Sequence, residues 1–302
     1  MRASAVVRAY RTGAAIVRKM PPPVADATAY VTGTTVALLA GDRRRIVERN
    51  LRRAIPGLRG RELRHSVNEV FRSYARYYVE SFRLPGLAPD VIEQKFTVEG
   101  YEHIDAAIAR GIGPILALPH LGGWEWAAFW LALVPKVRVT AVAEALEPPE
   151  LFTWFTDLRE SLGMQVVPLG PGAGAAVVRA IKACDVVCLL SDRFLEGSSV
   201  EVEFFGERTV LPAGPATLAL RTGAPLLPTA VYFRGDSHHG VVGPPIPAER
   251  EGPLRADVQR VTQALAYELE RLIRLAPEQW HLLQPNWPSD HEMLGHSAQN
   301  AR

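Results

Sequence analysis

From about residue 95 onward, short apolar runs alternate with stretches whose apolar positions recur at helical spacing. GPILALPH, residues 113–120, carries no polar side chain before its last residue, which predicts a strand buried on both faces. WEWAAFWLALV follows it as a helix. The rhythm then repeats: strand VRVTAVAE, helix PPELFTWFTDLRESLG, strand MQVVPL, helix AGAAVVRAIKAC, strand DVVCLLSD, helix LPAGPATLALRTG, strand APLLPTAVYF. Strands and helices that alternate with short connections predict an α/β fold, with a central, mostly parallel sheet flanked by helices on both faces. RADVQRVTQALAYELERLIRLAP adds a late helix.

The first 84 residues read as a basic helical N-terminal region. Residues 3–19 place Ala3, Val6, Val7, Tyr10, Ala14 and Val17 on one helical face, with Arg8, Arg11, Arg18 and Lys19 off it. The run MPPPV ends that helix, since proline cannot continue it. Residues 42–55 and 60–83 predict two more helices, and LPGLAPD breaks the pattern. The aromatic stripe of VFRSYARYYVESF reads more simply as core than as a ligand site. The expected organisation is a single unit, 1–302, in which helices 1–84 pack on a catalytic core formed by 85–302.

Charge sharpens the division. Residues 1–84 hold 17 Arg and Lys against 6 Asp and Glu, whereas the remainder holds 17 against 26. A basic region of this kind suits an anionic surface. For the 3–19 helix two readings stand side by side: the face of an anionic bilayer, or packing on the protein's own core. RRRIVERNLRRAI reads as a solvated or bilayer-facing helix, so no nucleic acid is expected as partner. No run reaches the ~18 apolar residues of a membrane span, and Arg8 and Arg11 interrupt any signal-peptide core. The two cysteines, Cys184 and Cys188, share the apolar run CDVVCLL and predict packing, not a disulfide framework.

The candidate chemistry lies in LPHLGGWEW, residues 118–126. Ligands in such sheets bind at the carboxyl ends of strands, where His120 falls. Pro119 keeps Leu118 extended, and Gly122 and Gly123 permit a tight turn. Glu125 would sit in the first turn of the next helix, where a carboxylate is favoured. The loop can then bring that carboxylate to the imidazole, fixing its tautomer and making the other nitrogen a better base. Such a pair would deprotonate a hydroxyl as it attacks a carbonyl, with helix-start amides holding the oxyanion.

Other constellations compete. Gly170, Gly172 and Ala175 match a dinucleotide fingerprint, and Asp192 lies 20 residues beyond Gly172, but Pro171 interrupts the turn. A plain strand-to-helix connection, or a cradle for a phosphate, remains open there. G-x-S-x-G and the P-loop pattern are absent. His238 and His239 fall in RGDSHHG, expected to be a surface hairpin loop, and no metal site is expected.

ALPHLGGWE resembles the first motif of the bacterial acyltransferases that make lipid A and related lipids. The likeness continues through LFTWFTDLRESLGMQVVPLG and LLSDRFLEGSSVEVEFFGERTVLPAGPATLALRTGAPLLPTAVYF, and ends in PEQWHLLQPNWP. That ending is most similar to the actinobacterial branch acting on phosphatidylinositol mannosides. The resemblance implies transfer of a long acyl chain, typically palmitoyl, from acyl-CoA to a mannose 6-hydroxyl. It implies a peripheral enzyme on the cytoplasmic leaflet of an anionic membrane, with acyl-CoA and a mannosylated phosphoinositide as partners and no cofactor or metal. His120 matches the family's base and Glu125 the acid of its pair. Arg159, Asp192, Arg193 and Glu196 match polar positions expected to bind substrate, and Glu144, expected to do so too, departs from the basic residue that many lipid A relatives carry there, which suits a sugar hydroxyl. The residues alone place no nucleophilic cysteine or serine for a covalent intermediate, so direct attack is expected. Trp126, Phe129 and Trp130 are expected either to wall an acyl tunnel or to fill core. Two alternatives stay open: a lauroyl or myristoyl transferase of the lipid A type, and a non-catalytic lipid- or dinucleotide-binding protein.

Overall fold

In a computed structural model, which describes residues 2–144, 146–194 and 197–300, four helices come first: α1 (Arg2–Lys19), α2 (Pro22–Leu39), α3 (Gly41–Ala54) and α4 (Gly60–Arg83). α2 was not legible as a helix, because its apolar residues encircle it. Proline at its first positions suits a helix start. Its buried stripe is made of small residues, Ala25, Ala29, Gly33 and Ala37. A Cβ on Gly33 would stand 2.5 Å from the Arg72 Cα, so the small stripe lets the backbones of α2 and α4 touch.

The α/β part follows. α5 (Pro89–Gln94), β1 (Phe96–Glu99) and α6 (Glu102–Ala109) lead into β2 (Ile115–Leu118), α7 (Trp124–Leu133), β3 (Val139–Ala143), α8 (Pro149–Glu160), β4 (Met164–Pro168), α9 (Ala173–Lys182) and β5 (Val186–Leu190). A hairpin, β6 (Ser199–Phe204) with β7 (Glu207–Pro212), precedes α10 (Gly214–Thr222), β8 (Leu226–Arg234), β9 (Ser237–Val242), α11 (Leu254–Arg274) and α12 (Pro288–Asn300). The pattern reading had not foreseen that hairpin, and β7 takes Leu211 and Pro212 from the helix expected there.

The main sheet has seven strands in the order β1-β9-β8-β2-β5-β3-β4. Only β8 and β9 pair antiparallel; every other neighbour pair is parallel. Alternation along the strands divides the core in two. Ile115 and Ala117 of β2 join Val187 and Leu189 of β5 against α9, α10 and α11. Leu116 and Leu118 join Val186 and Cys188 against α5, α6 and α7. Helices thus cover both faces, as the buried apolar runs required.

Burial corrects one expectation and decides two that stood open. The hairpin turn is only Gly235–Asp236, between the paired Arg234 and Ser237; His238 and His239 lie in β9, and His238 is buried. Trp126 and Phe129 belong to the core beneath the sheet, and Trp130 packs against it. α1 turns Val7, Ala14 and Val17 inward against Phe82 of α4 and Phe155 of α8. Arg18, expected off that face, donates from Nε to the Phe82 carbonyl at 2.9 Å.

Candidate active site

β2 and β5 run parallel, with Leu118 opposite Leu190. The Ser191 amide extends the ladder by donating to the Leu118 carbonyl at 2.8 Å. Two residues beyond the last pair on each strand stand His120 and Asp192. The register therefore sets them side by side at the carboxyl edge. His120 Nδ1 lies 2.5 Å from Asp192 Oδ1, and Trp280 Nε1 donates to Asp192 Oδ2 at 2.8 Å. Burial alone would raise the Asp192 carboxyl; the charge and hydrogen bond of His120, with that of Trp280, bring it below the usual range. An ionised carboxylate only accepts, so the proton of this bond belongs to His120 Nδ1.

The segment 279–286 backs this pair. The His281 amide donates to the His120 carbonyl at 2.7 Å, the Gly122 amide to the Gln279 carbonyl at 3.0 Å, and Asn286 Nδ2 to the Asp192 carbonyl at 3.1 Å. Gly122 has φ +56° and lies directly on the β8 backbone at Val231, so the turn requires glycine.

Glu125 does not take the place expected for it at the imidazole. It is 2% exposed in the first turn of α7 and faces α8 instead, where Oε1 accepts from Arg159 Nε at 3.0 Å and also from Nη2. Its spacing from His120 puts it beyond the Gly122 turn, outside the strand register that joins His120 to Asp192. The neighbouring Tyr77 phenol of α4 is pushed well above its ordinary range by burial and then by Glu125. Burial opposes the Arg159 charge, but Glu125 more than restores it, so the guanidinium stays protonated.

His120 opens on a cavity of about 470 Å³, within the range of small-molecule sites. Its wall is mostly apolar and aromatic, formed by Tyr10, Tyr77, Tyr78, Trp124, Leu151 and Phe155 together with Leu169, Val177, Leu189, Pro215 and Leu218. Glu144, Arg159 and Arg193 supply charge. Arg193 Nη2 donates to Glu144 Oε2 at 2.9 Å, while its buried Nε has no partner among the described residues. Glu196 lies outside the described residues. Leu169, Ala173 and Gly174 bring the 168–178 turn to the same cavity. Asp192, the acid that a dinucleotide ribose would need, is instead fully buried on His120 and Trp280.

Sequence reasoning took the aromatic face of α4 as core and gave His281 no role. Tyr74, Tyr77 and Tyr78 line the cavity, so the stripe is partly wall as well as core. His281 Nε2 lies 2.8 Å from Ser73 Oγ. Burial, then the nearby His120, lower the His281 pKa to about 3 from 6.5, against the opposing pull of Asp192. The sign of the linkage follows. Between about pH 6.5 and 3 the unfolded chain binds the proton and the folded chain does not, so this group makes stability fall as pH falls. His281→Asn should therefore flatten the acid loss of stability relative to wild type, read as urea midpoints at pH 7, 6, 5 and 4. Equal losses for both proteins would remove this origin.

The family model described as bacterial lipid A biosynthesis acyltransferase matches residues 3–289. A phosphatidylinositol mannoside acyltransferase of Mycobacterium tuberculosis (strain CDC 1551 / Oshkosh) is 41% identical over 223 residues, covering 72% of this chain and 69% of the relative. One of Mycolicibacterium smegmatis is 37% identical over 288 residues, covering 93% and 91%.

Proposed function

The chain belongs to the bacterial lipid A biosynthesis acyltransferase family, and from that premise we propose that it moves a long acyl chain, palmitoyl, from acyl-CoA to the mannose 6-hydroxyl of a phosphatidylinositol mannoside. The observation that carries the chemistry is the His120–Asp192 pair at the wall of an apolar cavity. His120 Nε2 takes the sugar hydroxyl proton as the oxygen attacks the thioester carbonyl. Asp192 stabilises the imidazolium that forms. Amides opening α7 hold the oxyanion. As the intermediate collapses, the C–S bond breaks and the imidazolium returns its proton to the departing sulfur. The acyl chain occupies the apolar wall, and Glu144 and Arg193 meet polar parts of the substrates. Glu125 acts through Arg159, which it holds in the cavity wall, and does not touch the base.

The mannoside acceptor is inferred from the relatives, which are phosphatidylinositol mannoside acyltransferases. Purified protein should convert palmitoyl-CoA and a mannosylated phosphatidylinositol into a product heavier by one palmitoyl group, detected by mass spectrometry. Acylation of a lipid A precursor alone would replace this acceptor with the lipid A reading.

The membrane side of the proposal moves from α1 to α2. No helix among the described residues is long and apolar enough to cross a membrane. Yet α2 leaves Val31 61%, Leu38 77% and Leu39 80% exposed. Arg43, four residues past Leu39, lines the cavity. A bilayer that covers those leucines would meet its anionic headgroups at Arg43 and at the basic residues of α1 and α3, on what we take to be the cytoplasmic leaflet. Leu38→Ser with Leu39→Ser should lower partitioning onto anionic vesicles by about tenfold, on the basis of the apolar area withdrawn from lipid. Unchanged sedimentation with vesicles would exclude this face.

A further inference from the structure

Three residues on one face of α4 reach toward the catalytic loop. Ser73, Tyr77 and Glu80 fall at i, i+4 and i+7, one above another. Ser73 meets His281, and Tyr77 stands beside Glu125 and Arg159. Glu80 is different: its Oε2 accepts from His238 Nε2 at 2.7 Å, and neither residue lines the cavity.

His238 is 1% exposed in β9. Its ring stacks on Trp126, with centroids 4.2 Å apart and planes at 19°. A Cβ on Gly123 would stand 2.6 Å from the ring's Cδ2, so the imidazole fills the space that Gly123 leaves. Beside its bonds to the 279–286 segment, the turn from His120 into α7 therefore rests on the β8 backbone under Gly122 and on the His238 ring under Gly123. The ring is itself tied down. Glu80 Oε1 accepts from Arg76 Nε at 2.7 Å, and the Arg76 guanidinium lies 4.2 Å from the Phe233 ring centroid. Burial pulls the Glu80 carboxyl upward, but His238 and Arg76 hold it below the usual range. His238 Nδ1 is buried without a partner among the described residues. Phenylalanine would fill the same space without that unmet polar atom, so packing alone does not account for a histidine here.

We propose that the Glu80–His238 pair positions the catalytic loop, holding the Gly122–Gly123 turn, and through it His120, at hydrogen-bonding distance from Asp192. The role rests on His120 being the base. These are positioning residues, since neither reaches the cavity.

The test is steady-state kinetics of His238→Phe, Glu80→Ala, Glu80→Gln and the Glu80→Ala/His238→Phe double variant, with folding followed by circular dichroism. His238→Phe keeps the plate beneath Gly123 but cannot donate. Its kcat should fall about 10- to 100-fold, the scale expected for a small misplacement of a reacting group. KM for palmitoyl-CoA should stay within about twofold, because the cavity is untouched. Glu80→Gln, which still accepts from Nε2, should retain more turnover than Glu80→Ala. The double variant should be no slower than the slower single. Wild-type kcat, a loss confined to KM, or additive losses would each overturn the role. Should His238→Phe not fold, the order of Glu80→Gln and Glu80→Ala decides alone. His120→Ala run alongside separates the two ideas: an active His120→Ala removes the base itself, whereas an inactive one beside a normal His238→Phe removes only the positioning.

Discussion

His120→Ala should lower kcat by about 10²- to 10⁴-fold, the contribution usual for a general base, with KM for palmitoyl-CoA nearly unchanged. In the proposed reaction the donor is held by the apolar wall and the charged residues of the cavity, and only the proton acceptor is lost. The side chain stands at the cavity wall and not in the core, so the fold should survive; thermal unfolding would confirm this. His120→Gln should be no better, because its amide nitrogen can donate to Asp192 but no group remains to take the proton. Turnover within a few-fold of wild type in either variant would show that the sugar oxygen is activated by something else.

Glu125→Gln should act mainly on stability. The carboxylate is buried and its Arg159 partner nearly so, with side-chain exposures of 2% and 12%. Removing one charge leaves the other uncompensated at the sheet edge, a loss of about 3–5 kcal/mol by the behaviour of broken buried pairs. Replacing both, as Glu125→Leu with Arg159→Met, should recover much of that loss, because desolvation then no longer has to be met. Urea denaturation of the two variants measures the difference. A single variant within 1 kcal/mol of wild type, by the same scale, would mean that the pair is solvated in solution. Any fall in turnover of Glu125→Gln should shrink when rates are expressed per folded molecule. It should not carry the pH signature of a lost base.

The two outcomes bear on how much of the site could be read from residues in order. The strand GPILALPH, the break at Pro119 and the glycine turn all depend on local chemistry, and they placed His120 at the correct edge of the sheet. The identity of its acid did not depend on local chemistry. Asp192 is 72 residues away and reaches the imidazole only because Leu118 and Leu190 share a register. Spacing along the chain made Glu125 look like the partner, whereas the turn at Gly122 carries it toward α8. Asp192 was singled out for its spacing from Gly172 and, through the family resemblance, as a substrate contact, not as the partner of His120. α2 was illegible for the opposite reason: an apolar helix with a small-residue stripe shows no contrast between faces, and its burial is visible only against Arg72 of α4. His238 sits beside the turn signal RGDS, and only tertiary contacts, with Trp126, Gly123 and Glu80, make it interior. The interior of the sheet was thus local information, while the site's second layer was tertiary.

The account depends most on the bond between His120 and Asp192, and the kcat of Asp192→Asn tests it most directly. Asparagine keeps the size, and its amide can still meet Trp280, but it no longer holds a proton on Nδ1 or stabilises an imidazolium. The expected result is a fall in kcat of about 10²- to 10⁴-fold in a folded protein that still binds palmitoyl-CoA. Turnover within about threefold of wild type, on the same kinetic scale, would contradict it.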